Sequence, residues 1–160
     1  MIKINIIAVG KLKESYLCDA CAEYLKRLKA FAKTEIIEIG EYRCSDNPSP
    51  SEIKTVIEKE GEIILSKIPK GSFVIPMCIE GKQLSSEEFS SKLSEVMLGG
   101  CGEFTFIIGG SFGLSDKVKQ AGNLKLSFGK ITLPHQLMRV VLLEQIYRAF
   151  SIMNNSKYHK

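Results

Sequence analysis

The chain has 160 residues, 44% hydrophobic and 25% charged, with 22 Lys and Arg against 18 Asp and Glu for a formal net charge of +4. That length and composition predict one soluble domain over residues 1–160, able to remove roughly 70% of its unfolded surface from water without a disulfide or metal staple. The charge is compatible with an anionic partner but does not demand one; no apolar run approaches the ~20 residues of a membrane span, and MIKINIIAVG lacks the marks of a signal peptide, so the expectation is a cytoplasmic protein with no membrane partner.

Short β-branched runs alternate with amphipathic segments along the chain. Lys3–Val9 reads as a strand ending at Gly10, and Glu14–Phe31 as a helix with Tyr16, Ala20, Tyr24 and Leu28 at fourfold spacing. Thr34–Ile39 is a second strand. A loop dense in turn formers follows, and Ser51 opens a helix to about Ile68. Ser72–Ile79 is a third strand whose internal Pro76 predicts a bend or an early end, because proline cannot donate to a ladder. Ser85 and Glu88 stand at capping-box spacing before a third helix, which the GGCG segment ends. Glu103–Ile108 is a fourth strand, GGSFGLS a glycine loop, DKVKQAG a short helix and Leu124–Phe128 a fifth strand; a long helix over Leu133–Met153 comes last. Strands alternating with helices give an α/β fold: a mostly parallel sheet with helices on both faces, its ligands beyond the carboxyl ends of the strands.

The five cysteines, Cys18, Cys21, Cys44, Cys78 and Cys101, are odd in number and scattered, which is no disulfide framework. The CDAC pair lies within a helical pattern and has no second pair or histidine beside it, so it reads as small apolar helix residues and no metal site is expected.

Three strand exits carry unusual residues: IPMCIEGK, IIGGSFGLS and SFGKITLPH. Neighbouring strands would gather them into one crevice. Neither a dinucleotide turn nor a Walker loop is present, but adjacent glycines allow close backbone approach to a flat ligand; a simple strand-to-helix turn is the other reading of that loop. In FGKITLPHQLMR, Thr132 reads as the N-cap, with Leu133, Pro134 and His135 as the first helical positions. His135 and Arg139, four apart, share one face. Arg139 has no acidic residue three or four positions away, so it either pairs across the fold or binds an anionic substrate, whereas Arg148 has Glu144 one turn before it. The helix is apolar on nearly every side. It is therefore internal or covered by a second subunit, and its place at the end of a short chain favours the second, a homodimer. The terminal YHK reads as a frayed end, although Tyr158 and His159 can both exchange protons. Basic clusters at Lys26–Lys33 and Lys117–Lys130 read as solvated faces, and no stacking platform for RNA is visible.

MIKINIIAVGKLKESYL, IEGKQLSSEEF, FIIGGSFGLSD, LKLSFGKITLPHQLMRVVLLEQIYRAF and the terminal YHK together resemble, from the first residues to the last, the ribosomal RNA large subunit methyltransferase H family of the SPOUT class. The resemblance implies a C-terminal trefoil knot, which periodicity cannot show, holding a bent S-adenosylmethionine. It implies a homodimer that methylates N3 of a pseudouridine in the helix 69 loop of 23S ribosomal RNA, on assembled ribosomes. Cofactor contacts carried over from the family fall on Met77, Gly109 and the run Phe128, Gly129, Lys130, Ile131, Thr132 and Leu133. The family commonly has Ser at the position of Gly129 and Met at that of Ile131. The ring nitrogen must lose a proton, so Arg139 is expected to supply charge to the ring or a nearby phosphate, and His135, Tyr158 or His159 to take the proton. A non-catalytic RNA-binding or ribosome assembly factor, and a SPOUT enzyme acting on transfer RNA, are the rival readings.

Overall fold

The computed structural model describes all 160 residues, in the order β1 (Ile2–Val9), α1 (Ser15–Leu28), β2 (Ala32–Ile39), α2 (Pro50–Lys67), β3 (Phe73–Gln83), α3 (Ser86–Leu98), β4 (Glu103–Ile108), α4 (Asp116–Gln120), β5 (Leu126–Ser127) and α5 (His135–Met153). The strands form one sheet in the order β2-β1-β4-β3-β5, and every neighbouring pair is parallel.

Strands in such a sheet bury both faces, and β1 shows why its sequence is a continuous apolar run. Ile4, Ile6 and Ala8 join a cluster of 19 buried residues with α1, α3 and α5, while Ile7 and Val9 join a cluster of eight on the opposite face with α2 and α4. In α1 the buried positions are Leu17, Cys21 and Leu28, so the fourfold line through Tyr16 enters the core only toward its end: Tyr16 is exposed, Ala20 and Tyr24 are half-buried and Leu28 is fully buried. Cys21 thus belongs to the core and Cys18 to the surface, both as free thiols. No helix is long and apolar enough to cross a membrane.

The helix starts follow local chemistry. Pro50 takes the first position of α2 and Ser49, not Ser51, caps it through Glu52 N–H at 3.2 Å, since a proline without an amide loses nothing there. Ser85 and Glu88 close the capping box of α3, with reciprocal bonds of 3.1 and 2.7 Å.

The apolar α5 is covered largely by its own chain. It lies between α1 and α3 on the sheet, and Leu137 is its only exposed residue. Of the two ways to bury such a helix, the internal one accounts for most of its surface.

Pro76 marks the place where β3 changes neighbour. Phe73 to Pro76 pair with Phe104 to Ile107 of β4; from Met77 the strand pairs with β5, with a register shift between Met77 and Lys82. The strand therefore runs on to Gln83 rather than ending early, and the irregularity is a switch of partner at a residue that has no amide to offer. Asn123 and Leu124 donate their amides to Val74 O at 2.8 and 3.2 Å, and Asn123 Oδ1 accepts from Val74 N at 2.7 Å, which delays the start of β5 to Leu126. Gly122 lets the chain approach: a Cβ there would collide with the Pro76 ring. Replacing Gly122 with Ala should lower stability by about 1–3 kcal/mol, the usual cost of overpacking against a rigid neighbour. A urea unfolding midpoint equal to that of the parent protein would show that the turn yields freely.

Candidate active site

Because β4, β3 and β5 are neighbours, the loops that leave their carboxyl ends meet. They enclose a cavity of about 690 Å³, walled by Met77–Glu80, by Ile108–Leu114 and by residues of the Ser127–His135 segment, with Met138 of α5 and Lys119 of α4 completing it. Lys119 and Glu80 form an ion pair on this wall, which holds the Glu80 carboxyl below its ordinary range and raises the Lys119 ammonium.

Much of the lining is main chain. A Cβ on Gly109 would lie 2.9 Å from the Gly113 carbonyl, so the glycine loop folds back on itself at a distance only glycine permits. Gly113 N–H closes that turn on Gly110 O at 3.1 Å. Gly129 has φ +123°, and the amides of Lys130, Ile131, Thr132 and Leu133 make no backbone hydrogen bond.

The start of α5 differs from the sequence reading. The helix begins at His135, with Pro134 in the N-cap position at φ −54° and ψ 136°, and no side chain caps it. Thr132 is not the cap, because a proline excludes the residue before it from the helical region and so removes Leu133 from the first turn. The first intrahelical bond is Met138 N–H to Pro134 O at 2.9 Å, leaving the amides of His135, Gln136 and Leu137 free at the positive end of the helix.

Beside the cavity the ends of β1 and β2 are tied to this helix. Arg139, 1% exposed, donates from one terminal nitrogen to Glu38 Oε2 at 2.7 Å and from the other to Gly10 O at 3.1 Å; its Nε has no partner. Gly10 N–H donates to Ile39 O at 2.7 Å, and Leu12 N–H to Glu38 Oε2 at 3.3 Å. Gly10 itself has φ +90°, and a Cβ there would sit 3.1 Å from Glu41 Oε1 and 3.6 Å from His135 Nε2. Those two groups are 3.6 Å apart. Just beyond, Glu60 of α2, 4% exposed, accepts the Tyr42 amide at 3.0 Å. Burial pushes the Glu60 carboxyl up from its ordinary value; the Tyr42 amide opposes the shift and the Glu41 charge adds to it.

The family model described as "Predicted SPOUT methyltransferase" matches residues 2–159. The chain belongs to the SPOUT methyltransferase family. It is 54% identical over 158 residues to the ribosomal RNA large subunit methyltransferase H of Streptococcus gordonii and 55% identical to that of Streptococcus pneumoniae, in each case across 99% of both chains. Among solved structures, a probable methylase family protein from Haemophilus influenzae superposes with a TM-score of 0.55 at 14% identity, over 98% of this chain and 70% of that one. A transfer RNA methyltransferase from Aquifex aeolicus gives 0.54 at 15% identity, over 91% and 69%. At these identities the likeness shows a shared fold.

Of the positions that the family resemblance marks for the cofactor, Met77, Gly109, Phe128, Gly129, Ile131, Thr132 and Leu133 line the cavity; Lys130 is exposed and does not. Among the proton and charge candidates only His135 lines it. Of the two readings of Arg139 the structure shows pairing across the fold, and its guanidinium, the expected source of charge for the ring or a nearby phosphate, is held by Glu38 outside the cavity wall. Tyr158 and His159 are not frayed. The Tyr158 hydroxyl donates to Glu144 Oε1 at 3.1 Å, its ring meets Tyr147 edge-on at 4.8 Å, and His159 lies 3.1 Å from Arg148 and 2.6 Å from Glu87. Burial first, then Tyr24 and Glu144, hold the Tyr158 phenol well above its ordinary range. Arg148 pairs with Glu144 at 2.7 Å, as its spacing predicts. Neither tail residue lines this chain's cavity, and no cluster of His, Cys, Asp and Glu has metal-binding geometry.

Sequence reading passed over Glu38, Glu41 and Glu60, which become neighbours only when the ends of β1 and β2 meet α5 and α2. Glu60 yields a measurable consequence. A carboxyl whose folded value is raised contributes most to stability below its unfolded value, and that contribution is lost as pH rises through the folded value. Glu60→Gln keeps an acceptor for Tyr42 N–H and removes the buried charge. As pH rises from the ordinary carboxylate range the parent protein should therefore lose stability relative to the variant; equal pH dependence in chemical denaturation of the two would contradict a buried Glu60 carboxyl.

Proposed function

We propose that this chain transfers the methyl group of S-adenosylmethionine to N3 of a pseudouridine in the helix 69 loop of 23S ribosomal RNA, acting in the cytoplasm as a homodimer on the assembled ribosome. The observation that carries the proposal is the 54–55% identity, across 99% of both chains, to proteins curated as ribosomal RNA large subunit methyltransferase H. The trefoil knot is part of the same reading and is supported by the SPOUT family model over residues 2–159.

The cavity fits the cofactor on its own terms. Its volume of about 690 Å³ is that of a small-molecule site, and its lining combines apolar side chains with unpaired backbone amides. Met77, Phe128 and Leu133 offer apolar contact, Gly109 and Gly129 admit close approach of backbone, and the amides of Ile131, Thr132 and Leu133 face no competing acceptor from the main chain. The bound cofactor supplies a methyl group already activated on a sulfonium. What remains for the protein is to orient the ring and take the N3 proton, which a uracil ring holds at neutral pH. His135 is the proton acceptor that this chain's own cavity carries. Arg139 contributes by fixing the start of α5 against β1 and β2. Tyr158 and His159 contribute only across a dimer, where the tail of one copy lies beside the cavity of the other.

A second copy is supported by the apolar rim: Ile79, Phe112 and Ile131 of the cavity wall are 51%, 38% and 80% exposed, and Leu137 on the outer side of α5 is 39% exposed. A net charge of +4 is weak equipment for holding naked RNA, which favours a large structured target that provides the rest of the surface.

The test is transfer of labelled methyl from S-adenosylmethionine to ribosomes from cells lacking the enzyme, with the modified nucleotide mapped. Label at N3 of the helix 69 pseudouridine is expected; label confined to transfer RNA would replace the substrate, and absence of cofactor binding by calorimetry would leave the assembly-factor reading. Gly109→Ala should weaken cofactor binding about tenfold or more, equivalent to about 1.4 kcal/mol, because its Cβ forces the glycine loop away from Gly113. Parental affinity in that variant would move the cofactor out of the cavity.

A further inference from the structure

We propose that Glu41 is a positioning residue for His135, its carboxylate fixing the imidazole so that Nδ1 is left to receive the proton from the target ring. The inference rests on the methyl-transfer reading above and names a residue which that reading does not contain. Three observations carry it.

The first is the pairing itself. Glu41 Oε1 stands 3.6 Å from His135 Nε2 and is the only carboxylate within 4 Å of that ring. A neutral imidazole has one N–H and one lone pair, and the nitrogen turned to a carboxylate keeps the proton, so Nε2–H belongs to Glu41 and the lone pair to Nδ1. The separation is somewhat longer than a hydrogen bond, as such contacts commonly are before a substrate closes the site.

The second is that Glu41 is held from both sides although it is itself half exposed. Ile39 O accepts Gly10 N–H at 2.7 Å on one side, and on the other the Tyr42 amide donates to the buried Glu60 at 3.0 Å. Both anchors lie within two residues of Glu41. The carboxylate therefore sits on a short pinned segment rather than a free loop.

The third is Gly10, whose missing side chain leaves the space that the pair occupies: a Cβ at that position would press on Glu41 Oε1 and touch His135 Nε2. On the helix side, Arg139 clamps Gly10 O one turn beyond His135, so the glycine, the carboxylate and the imidazole are located by one set of bonds.

In the reaction the methyl group would leave the cofactor's sulfonium, the S–CH₃ electron pair staying on sulfur as a neutral thioether, while the ring nitrogen forms the N–CH₃ bond and its proton passes to His135 Nδ1. The resulting imidazolium, with both nitrogens protonated, is balanced by Glu41, and the proton then returns to solvent. The other charges beside the pair are the Arg139–Glu38 pair on α5 and β2, Glu60 on α2, whose carboxyl the Glu41 charge reaches, and the Lys119–Glu80 pair on the cavity wall.

Glu41→Gln tests the assignment, with Glu41→Asp as the conservative variant. The chain has two histidines, so His135 can be followed alone in a His159→Gln background by imidazole NMR. With the carboxylate in place the neutral ring should keep its proton on Nε2, so the Nε2–H tautomer should predominate in the ¹⁵N spectrum of the parent, that preference falling about threefold or more in Glu41→Gln and recovering in part in Glu41→Asp. In ribosome methylation, Glu41→Gln should lower kcat about tenfold or more with little change in KM for the cofactor, and Glu41→Asp should restore part of that loss. A tautomer ratio unchanged in Glu41→Gln would overturn the pairing whatever the activity. A changed tautomer ratio with an unchanged kcat would overturn the positioning role, and failure of the parent protein to methylate ribosomes would instead remove the underlying reading while leaving the NMR result standing.

Discussion

The carboxyl edge of this sheet is organised by one buried guanidinium. Arg139 reaches from the second turn of α5 to a carboxylate at the end of β2 and a carbonyl just past β1, joining three elements that share no local sequence. An arginine this deeply buried is tolerated only when its charge is matched and its donors are used, and Glu38 with Gly10 O supply most of that requirement. Because the side chain is locked, the turn of α5 that carries His135 is located relative to β1 and β2. The cavity lies immediately beside it, on the β4–β3–β5 side.

Around that tie, the site is built mostly from the backbone. The glycine loop after β4 and the segment after β5 approach each other without side chains, and the missing cap on α5 leaves amides free where a ligand would lie. Pro76 contributes on the third side: by ending the pairing of β3 with β4 it allows Met77 and the residues after it to peel toward β5 and form the remaining wall. Each of these devices weakens regular secondary structure locally. Together they produce a pocket in a sheet whose remaining strands are continuous ladders.

The sequence marked this pocket well because its punctuation is chemical. Pro76, Gly109–Gly110 and Pro134 interrupt otherwise periodic runs, and such interruptions have few physical causes. The layered parallel sheet was equally legible from unbroken apolar strands such as that of β1. What could not be read was pairing across the fold. Arg139 without a helical partner was consistent with two outcomes, and only the meeting of α5 with β2 decides for Glu38. The steric effect of Pro134 on Leu133 was available in the sequence and argues against Thr132 as the cap, yet the hydroxyl before the helix suggested otherwise. Glu41 and Glu60 gave no signal at all, one lying in a loop of turn formers and the other within an ordinary charged helix. The tail reads as disorder by position, and its docking depends on Glu87 of α3 standing near the Glu144–Arg148 pair of α5, a meeting of two helices that periodicity does not show.

The order of the strands has a consequence for how the molecule is made. The first strand finds its inner neighbour, β4, about a hundred residues later, and Arg139 bonds to Glu38 across 101 positions and to Gly10 across 129. Contacts so remote in sequence form slowly, and a chain emerging from synthesis N-terminus first exposes β1 and β2 without the helix that covers them. The apolar α5 and the segment before it come last, so no earlier fragment contains the site. A cavity with all its walls therefore forms only after the chain has been made through the first turns of α5, and until then the carboxyl ends of β3 and β4 stand open.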